Sequence, residues 1–401
     1  MLIPIVIFVA TYAFVAIGEI PGLRIDRAGA ALIGASLMIA FGVVSLPEAY
    51  RAVDFDTILL LFSMMILVAY LRLSGFFHLV SKWVAEHART PITLLIAIVL
   101  VTGFFSAFLV NDAICLVLTP LVLEIARSAE LNPLPYLLGV AMASNVGSAA
   151  TITGNPQNML IGSLSQISYG SFARALSLPA LAGLVLTIGF ISVSFRSQFR
   201  NGRNLEMSVR HVHVHWGMVA KASVVTLAIV ILFFVGKEPA KVAFVASSML
   251  LLTRRVKPER IYREIDWSLL LLFAGLFVVV SALEKSVISA DVLSRMNALH
   301  LERVSVMSAV AAVLSNIVSN VPAVLLLKPF VVRLPDARQA WLALAMASTF
   351  AGNLTIVGSV ANLIVVEKAR RQGVRIGFWP YFKVGAPLTI VTILIGALFL
   401  R

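Results

Sequence analysis

Ser144-Asn145-Val146-Gly147-Ser148 continues through Thr151-Ile152-Thr153 into Gly154-Asn155-Pro156-Gln157-Asn158, a run of amides, hydroxyls and glycines set inside hydrophobic sequence. These residue types suit coordination. Amides and hydroxyls donate and accept, and carbonyls released from a broken helix can hold cations. Pro removes a backbone donor and biases the preceding residue away from helical geometry, so a break is expected at Gly154-Asn155-Pro156. At membrane depth a broken backbone persists only where it is buried in protein or lines a watery cavity.

A second constellation is Asn111-Asp112, with apolar sequence on either side. An acid at that depth is costly and is by default a candidate ion ligand or proton relay. The structural alternative is an Asp capping the helix that starts at Ala113. Asn111 and Asn320 could each present donors and an acceptor to a ligand, or serve as caps.

These residues require membrane helices to position them. The 401 residues are 60% hydrophobic and 13% charged, which marks a polytopic membrane protein. Apolar segments are expected near 2–18, 28–46, 56–74, a close pair at 92–110 and 113–127, a broken segment at 134–165, and 178–195. The second half offers 218–235, 239–253, 266–284, a pair at 303–319 and 322–333, a broken segment at 338–368, and 381–400. The first segment lacks a preceding basic residue and a cleavage signature, so it reads as a retained helix and not a signal peptide. Cys115 is the only cysteine, which excludes an internal disulfide and leaves a cysteine metal cage unsupported. The net charge of +13 is explained by basic loops between apolar segments, so no nucleic-acid partner is expected.

The two halves match. Ser106, Asn111 and Pro120 correspond to Ser315, Asn320 and Pro329 at an offset of 209 residues. Ala141-Met142-Ala143-Ser144, Thr151, Gly154 and Asn158 correspond to Ala345-Met346-Ala347-Ser348, Thr355, Gly358 and Asn362 at an offset of 204. Val53-Asp54-Phe55 echoes Ile265-Asp266-Trp267. Asp112 has Val321 as its counterpart, so the amide is duplicated and the acid is not.

The chain therefore reads as an all-α polytopic membrane protein built from an inverted repeat. Each half carries about five transmembrane helices, a re-entrant hairpin and a broken helix. Residues 1–195 form the first repeat, 196–217 a cytoplasmic linker and 218–401 the second repeat. Counting crossings puts roughly two-thirds of the 32 Lys and Arg on one side. That side is the cytoplasm of a cell inner (plasma) membrane protein, with both termini on the non-cytoplasmic side. Inverted repeats with paired broken helices are a transporter architecture.

The candidate coupling residues are Asp112, Asn145, Gly147, Ser148, Thr151, Gly154 and Asn158 with Gly352, Asn353, Thr355, Gly358 and Asn362. Asn111, Asp112, Asn155, Ser319, Asn320 and Ser359 are the candidate solute contacts. Neither broken stretch holds an Asp or Glu, so amides, hydroxyls and helix ends suit an anionic or neutral solute better than a large organic cation. Small-residue helix packing accounts for some of the Gly, Ala and Ser positions. Lys328 is expected to snorkel outward, to neutralise a bound anion or to pair with Asp112. In an extended strand, His211, His213 and His215 would share a face and could grip a metal, but without a nearby Cys or acidic cluster a solvated loop is the reading adopted, and no metal site is assigned. Arg254-Arg255 and Lys368, Arg370 and Arg371 read as topology determinants or lipid headgroup contacts.

These motifs resemble the ion transporter superfamily of arsenite permeases, NhaD-type sodium/proton antiporters, citrate–metal carriers and divalent anion:sodium symporters. Asn111-Asp112 with Thr119-Pro120 resembles the first hairpin of the arsenite permease and citrate–metal branches. Gly154-Asn155-Pro156-Gln157-Asn158 resembles the first unwound helix of the superfamily, and Ser319-Asn320-Val321-Pro322 with Gly352-Asn353-Leu354-Thr355 its second hairpin and following helix. The resemblance implies solute contacts at Asn111 and Ser319-Asn320 and cation sites framed by Gly147, Ser148, Thr151 and Asn155 with their second-half partners. It also implies an elevator-like motion and, as in many such relatives, a homodimer. Where the symporters carry Ser-Asn-Thr at both tips, this chain has Val110-Asn111-Asp112 and Ser319-Asn320-Val321, which points away from dicarboxylates and towards proton coupling.

The expectation is a secondary active transporter, not an enzyme, moving a small anion or oxyanion-type solute among membrane lipids. Arsenite-like solutes come first and organic anions second. Na+ or H+ is the coupling ion, and no cofactor is expected. A sodium/proton antiporter is the alternative; an intramembrane hydrolase or a passive channel fits the pattern poorly.

Overall fold

Large apolar side chains face outward as well as into the apolar core, and a set of amides is buried with them. Val185, Leu227, Ile390 and Leu398 are exposed, whereas Asn145, Asn155, Asn158, Asn353 and Asn362 are buried. A hydrocarbon surround accounts for the exposed apolar side chains, because lipid tolerates exposed Leu and Val while backbone and amides must be satisfied internally. The structure, a computed structural model, describes residues 2–17, 25–200, 204–205, 214–252, 256–287 and 300–400. His211, His213 and Arg254-Arg255 lie outside the described residues.

In the first half, α1 is Leu2–Ile17, α2 Arg27–Ala40, α3 Leu46–Ala52, α4 Phe55–Ser74, α5 Phe76–His87, α6 Pro91–Phe108 and α7 Asn111–Ser128. It continues with α8 Leu134–Ser148, a 3-10 turn Ile152–Gly154, α9 Pro156–Ser165, α10 Tyr169–Ser194 and α11 Arg196–Arg200. The second half holds α12 Trp216–Phe234, α13 Pro239–Leu251, α14 Pro258–Tyr262, α15 Trp267–Val287, α16 Val304–Val318 and α17 Asn320–Val331. It ends with α18 Ala337–Ala351, a 3-10 turn Ile356–Gly358, α19 Val360–Arg371 and α20 Phe378–Phe399. Among the described residues, 6 helices are long and apolar enough to cross a membrane: α4, α6, α10, α12, α15 and α20.

The termini of these helices follow ordinary capping chemistry. Ser45 and Glu48 form a reciprocal capping box that opens α3. Asp54 caps α4, accepting from Thr57 N at 3.2 Å, and Asp266 occupies the same place before α15, accepting from Leu269 N at 3.0 Å. Such caps are each worth about 1 kcal/mol. Gly75 closes α4 with φ of +85°, a left-handed conformation natural to glycine.

Helix order repeats between the halves, and so does packing. α2 lies against α15 as α13 lies against α4; α6 packs on α8 as α16 packs on α18; α8 meets α10 as α18 meets α20. The last long helices of the halves, α10 and α20, pack on each other.

Some local expectations change. The second arm of the first hairpin is longer than foreseen: α7 spans 18 residues, about 27 Å at 1.5 Å per residue. Its first arm, α6, is one of the long apolar helices. Helix α10 begins at Tyr169, well before the expected 178, because Ser168 caps it through Ser171 N and Pro179 sits within an established helix. The short amphipathic α5 adds a helix between the expected segments 56–74 and 92–110.

Candidate functional site

The first broken segment interrupts its helix earlier than Gly154-Asn155-Pro156 suggested. α8 ends at Ser148, where the Ala149 and Ala150 amides turn back to Val146 O at 3.3 Å and Gly147 O at 3.1 Å. Asn155-Pro156 then starts α9: Asn155 accepts from Asn158 N at 2.9 Å, and Pro156 takes the first helical position, where its missing N–H costs nothing. The second half repeats this with Ser359, which accepts from Ala361 N at 3.2 Å ahead of α19.

Carbonyls freed by the breaks are engaged by asparagine amides. Asn158 Nδ2 donates to Ser148 O at 3.1 Å and Thr151 O at 3.0 Å. Asn362 Nδ2 donates to Gly352 O at 2.7 Å and Thr355 O at 3.1 Å, the same pattern in the other repeat. Asn145 joins the halves. Its Nδ2 donates to Asn353 Oδ1 at 2.8 Å and Asn362 Oδ1 at 3.0 Å, and its Oδ1 accepts from Asn111 Nδ2 at 3.3 Å and Ser359 Oγ at 2.9 Å. Thr349, the repeat counterpart of Asn145, accepts from Asn155 Nδ2 and Gln157 Nε2, both at 3.2 Å.

The hairpin tips are tied to these breaks. Thr151 Oγ1 donates to Ala107 O, and Thr153 Oγ1 to Phe108 O at 3.4 Å. Across the repeat, Asn316 Nδ2 donates to Ala351 O at 3.1 Å. Asn111 and Asp112 are the first two residues of α7; Val110 occupies the cap position and provides no side-chain cap bond. The capping role considered for Asp112 is therefore not what it does. Its carboxylate forms no hydrogen bond or ion pair among the described residues. Ser319 precedes α17 with φ +77° and ψ 161°, a conformation that L residues adopt only under strain of about 1–3 kcal/mol.

A cavity of about 510 Å³ lies where these parts meet. Its wall contains Asn111-Asp112, Pro156-Gln157, Ser319-Asn320 and Ser359-Val360, which are the N-terminal ends of α7, α9, α17 and α19. Each helix N-terminus carries roughly half a positive charge, and its first amides lack intrahelical partners. Asp26, Arg27 and Asp266, from the starts of α2 and α15, complete the charged wall. The carbonyl oxygens of the Asn111 and Asn320 side chains are buried without hydrogen-bond partners, as groups awaiting a polar ligand would be.

The citrate transporter family, CitMHS, matches residues 12–351. The chain belongs to that family. It is a multi-pass membrane transporter and not an enzyme. An uncharacterized transporter of Mycobacterium tuberculosis is 30% identical, covering 100% of this chain and 98% of the relative. The silicon efflux transporter LSI3 of Oryza sativa subsp. japonica is 30% identical, covering 94% of this chain and 93% of the relative. A Dictyostelium discoideum transporter named arsB is 25% identical, covering 93% and 87%. The crystal structure of the YdaH transporter of Alcanivorax borkumensis superposes with a TM-score of 0.59 at 14% identity, covering 100% of this chain and 97% of that one, and so shares the fold.

In this family member, five of the six expected solute contacts line the cavity: Asn111, Asp112, Ser319, Asn320 and Ser359. Asn155 does not; its Nδ2 points to Ser148 Oγ at 2.9 Å, and Pro156-Gln157 take the wall position instead. Of the expected coupling residues, Asp112 alone reaches the cavity. Asn145, Ser148, Thr151, Asn158, Asn353, Thr355 and Asn362 form the hydrogen-bonded layer behind it. Gly147 is pressed against the Gly103 backbone of α6, Gly154 against Ser148 O, and Gly352 and Gly358 sit in the same close turn, approaches that leave no room for a Cβ at Gly147 or Gly154. Lys328 pairs with Glu284 of α15 at 3.4 Å and not with Asp112.

Sequence reasoning missed Thr349, Gln157, Arg27 and the cavity position of Asp266. The repeat offset of 204 from Asn145 would have pointed to Thr349.

Proposed function

We propose that this chain is a secondary active transporter of a small anion or oxyanion-type solute, driven by a proton or sodium gradient. The observation that carries this is the convergence of four helix N-termini and two unpartnered Asn carbonyls on one cavity with a free carboxylate, Asp112. Unpaired amides at the helix starts supply donors to solute oxygens, and the Asn side chains accept from solute hydroxyls. An arsenite-like solute with several hydroxyls uses both sets; organic anions come second. The names of the rice and Dictyostelium relatives agree with the first, and the family name with the second.

A proton is the better coupling ion. The unwound carbonyls that could hold sodium already accept from Asn158 and Asn362, whereas Asp112 is unengaged. The reciprocal packing of α2 on α15 and α13 on α4 supports two inverted halves, and the hairpin domain then moves elevator-fashion against a scaffold, within a homodimer in the inner membrane. Both termini then lie on the non-cytoplasmic side, a reading that the distribution of basic loops supports.

A second reading, sodium/proton antiport, draws on Asp112 and Asp266 lining the same cavity. Solid-supported-membrane electrophysiology on the reconstituted protein separates the two. Currents should follow jumps of arsenite, silicic acid or citrate across a pH gradient. Currents evoked by sodium and pH alone, with no solute response, would replace the first reading with the second.

A further inference from the structure

Asp112 and Asp266 line not one cavity but two. Besides the 510 Å³ chamber, they border a smaller one of about 90 Å³, shared with Arg72 and Glu264. Its remaining wall is apolar, from Met65, Val68, Ala113 and Ile364 among others. That volume holds roughly three waters at about 30 Å³ each, with the three carboxylates and Arg72 as polar partners. It is far smaller than the 510 Å³ chamber. Arg72, Leu116 and Val117 also border a third cavity of about 500 Å³, which contains His78, Glu124 and Arg127. The Nδ1 atom of His78 is buried without a hydrogen-bond partner.

We propose that protons reach Asp112 through this small chamber, by a path separate from the solute's. The inference rests on the reading of Asp112 as the proton-coupling carboxylate. A proton entering the third cavity passes His78 and Glu124, hops along waters for which the small chamber has room beside the Arg72–Glu264 ion pair, and is taken by Asp112. No other bond is made or broken. Arg72, which borders both the small chamber and the third cavity, pairs with Glu264 there. The charged and titratable groups around Asp112 are Asp26 ahead of α2, Arg27 from α2, Arg72 from α4, Glu264 and Asp266 ahead of α15, and the Cys115 thiol on α7 itself; the facing residues of α19, Leu363 and Ile364, are apolar. The separation matters for coupling. A solute seated on Asn111 and Asn320 would block the large cavity while Asp112 still exchanges its proton from behind.

The test is time-resolved infrared spectroscopy on the purified full chain after a light-triggered pH jump, following the carboxyl band assigned to Asp112 by its loss in Asp112→Asn. No solute is required. Ala113→Leu, which fills the small chamber, and Glu264→Gln, which removes an acceptor beside it, should each slow protonation of Asp112 at least tenfold. Val360→Phe, which narrows the large cavity, should slow it less than twofold. Equal slowing by all three variants, slowing by Val360→Phe alone, or no change in any of them would overturn the separate route while leaving Asp112 as the proton carrier. A wild-type protein with no band assignable to Asp112 would overturn that reading and the route together.

Discussion

Asn145 of the first half and Asn362 of the second, 217 residues apart, share a hydrogen bond of 3.0 Å at the centre of the molecule. Asn362 in turn spans Gly352 O and Thr355 O, so one amide from α8 sets the geometry of the opposite break. Replacing Asn145 by Ala would orphan acceptors on Asn353 and Asn362 and donors on Asn111 and Ser359, each at about 1–3 kcal/mol when buried. The expected outcome is a marked fall in thermal midpoint, measured by tryptophan fluorescence in detergent. A midpoint within a degree of wild type would mean that the network is looser than its geometry.

Asp112→Asn keeps the size of the side chain, exchanges one acceptor oxygen for an amide donor and removes its charge. Gradient-driven uptake into proteoliposomes should drop by about two orders of magnitude, in the range seen when a positioned proton-transfer group is lost. Solute-for-solute exchange, which needs no net proton movement, should persist. Equal loss of both would make Asp112 a binding residue instead.

Strain at Ser319 yields a stabilising prediction. Glycine adopts its φ of +77° without penalty, so Ser319→Gly should recover part of about 1–3 kcal/mol, less the entropy glycine adds to the unfolded chain. Its thermal midpoint should rise while solute affinity falls, because the hydroxyl at the hairpin tip is gone. Ser319→Ala keeps the strain and should show only the affinity loss. A higher midpoint in Ala than in Gly would contradict the strain account.

Glu48, on the short helix α3 outside the spans, gives a pH-dependent prediction. The Lys285 ammonium at 2.7 Å, with the amide and hydroxyl of Ser45, holds its carboxyl down at about 2 against an ordinary 4.5. A depressed folded-state value contributes stability above the unfolded value, lost as pH falls from about 4.5 towards 2. Glu48→Gln should therefore lower the thermal midpoint slightly at neutral pH, with the difference shrinking below pH about 4.5. High salt should shrink it too. A difference independent of pH would assign the effect to the capping box.

Much of this protein was determined by sequence alone. Lipid demands that backbone polar groups be satisfied internally, so long apolar runs became helices and polar, Pro-bearing interruptions became breaks. Duplicated motifs marked the hairpin tips, and Asn111, Asp112, Ser319, Asn320 and Ser359 all came to one cavity. Tertiary structure decided which polar residues face that cavity and which stand behind it. Asn155 and Gln157 are two residues apart, yet one turns into the layer behind and the other onto the wall. That depends on helix rotation and on partners such as Thr349, 194 residues away. Local pattern has no access to such contacts. Likewise Asp266 and Arg27 read as ordinary helix starts until packing of α2 against α15 brought them opposite Asp112.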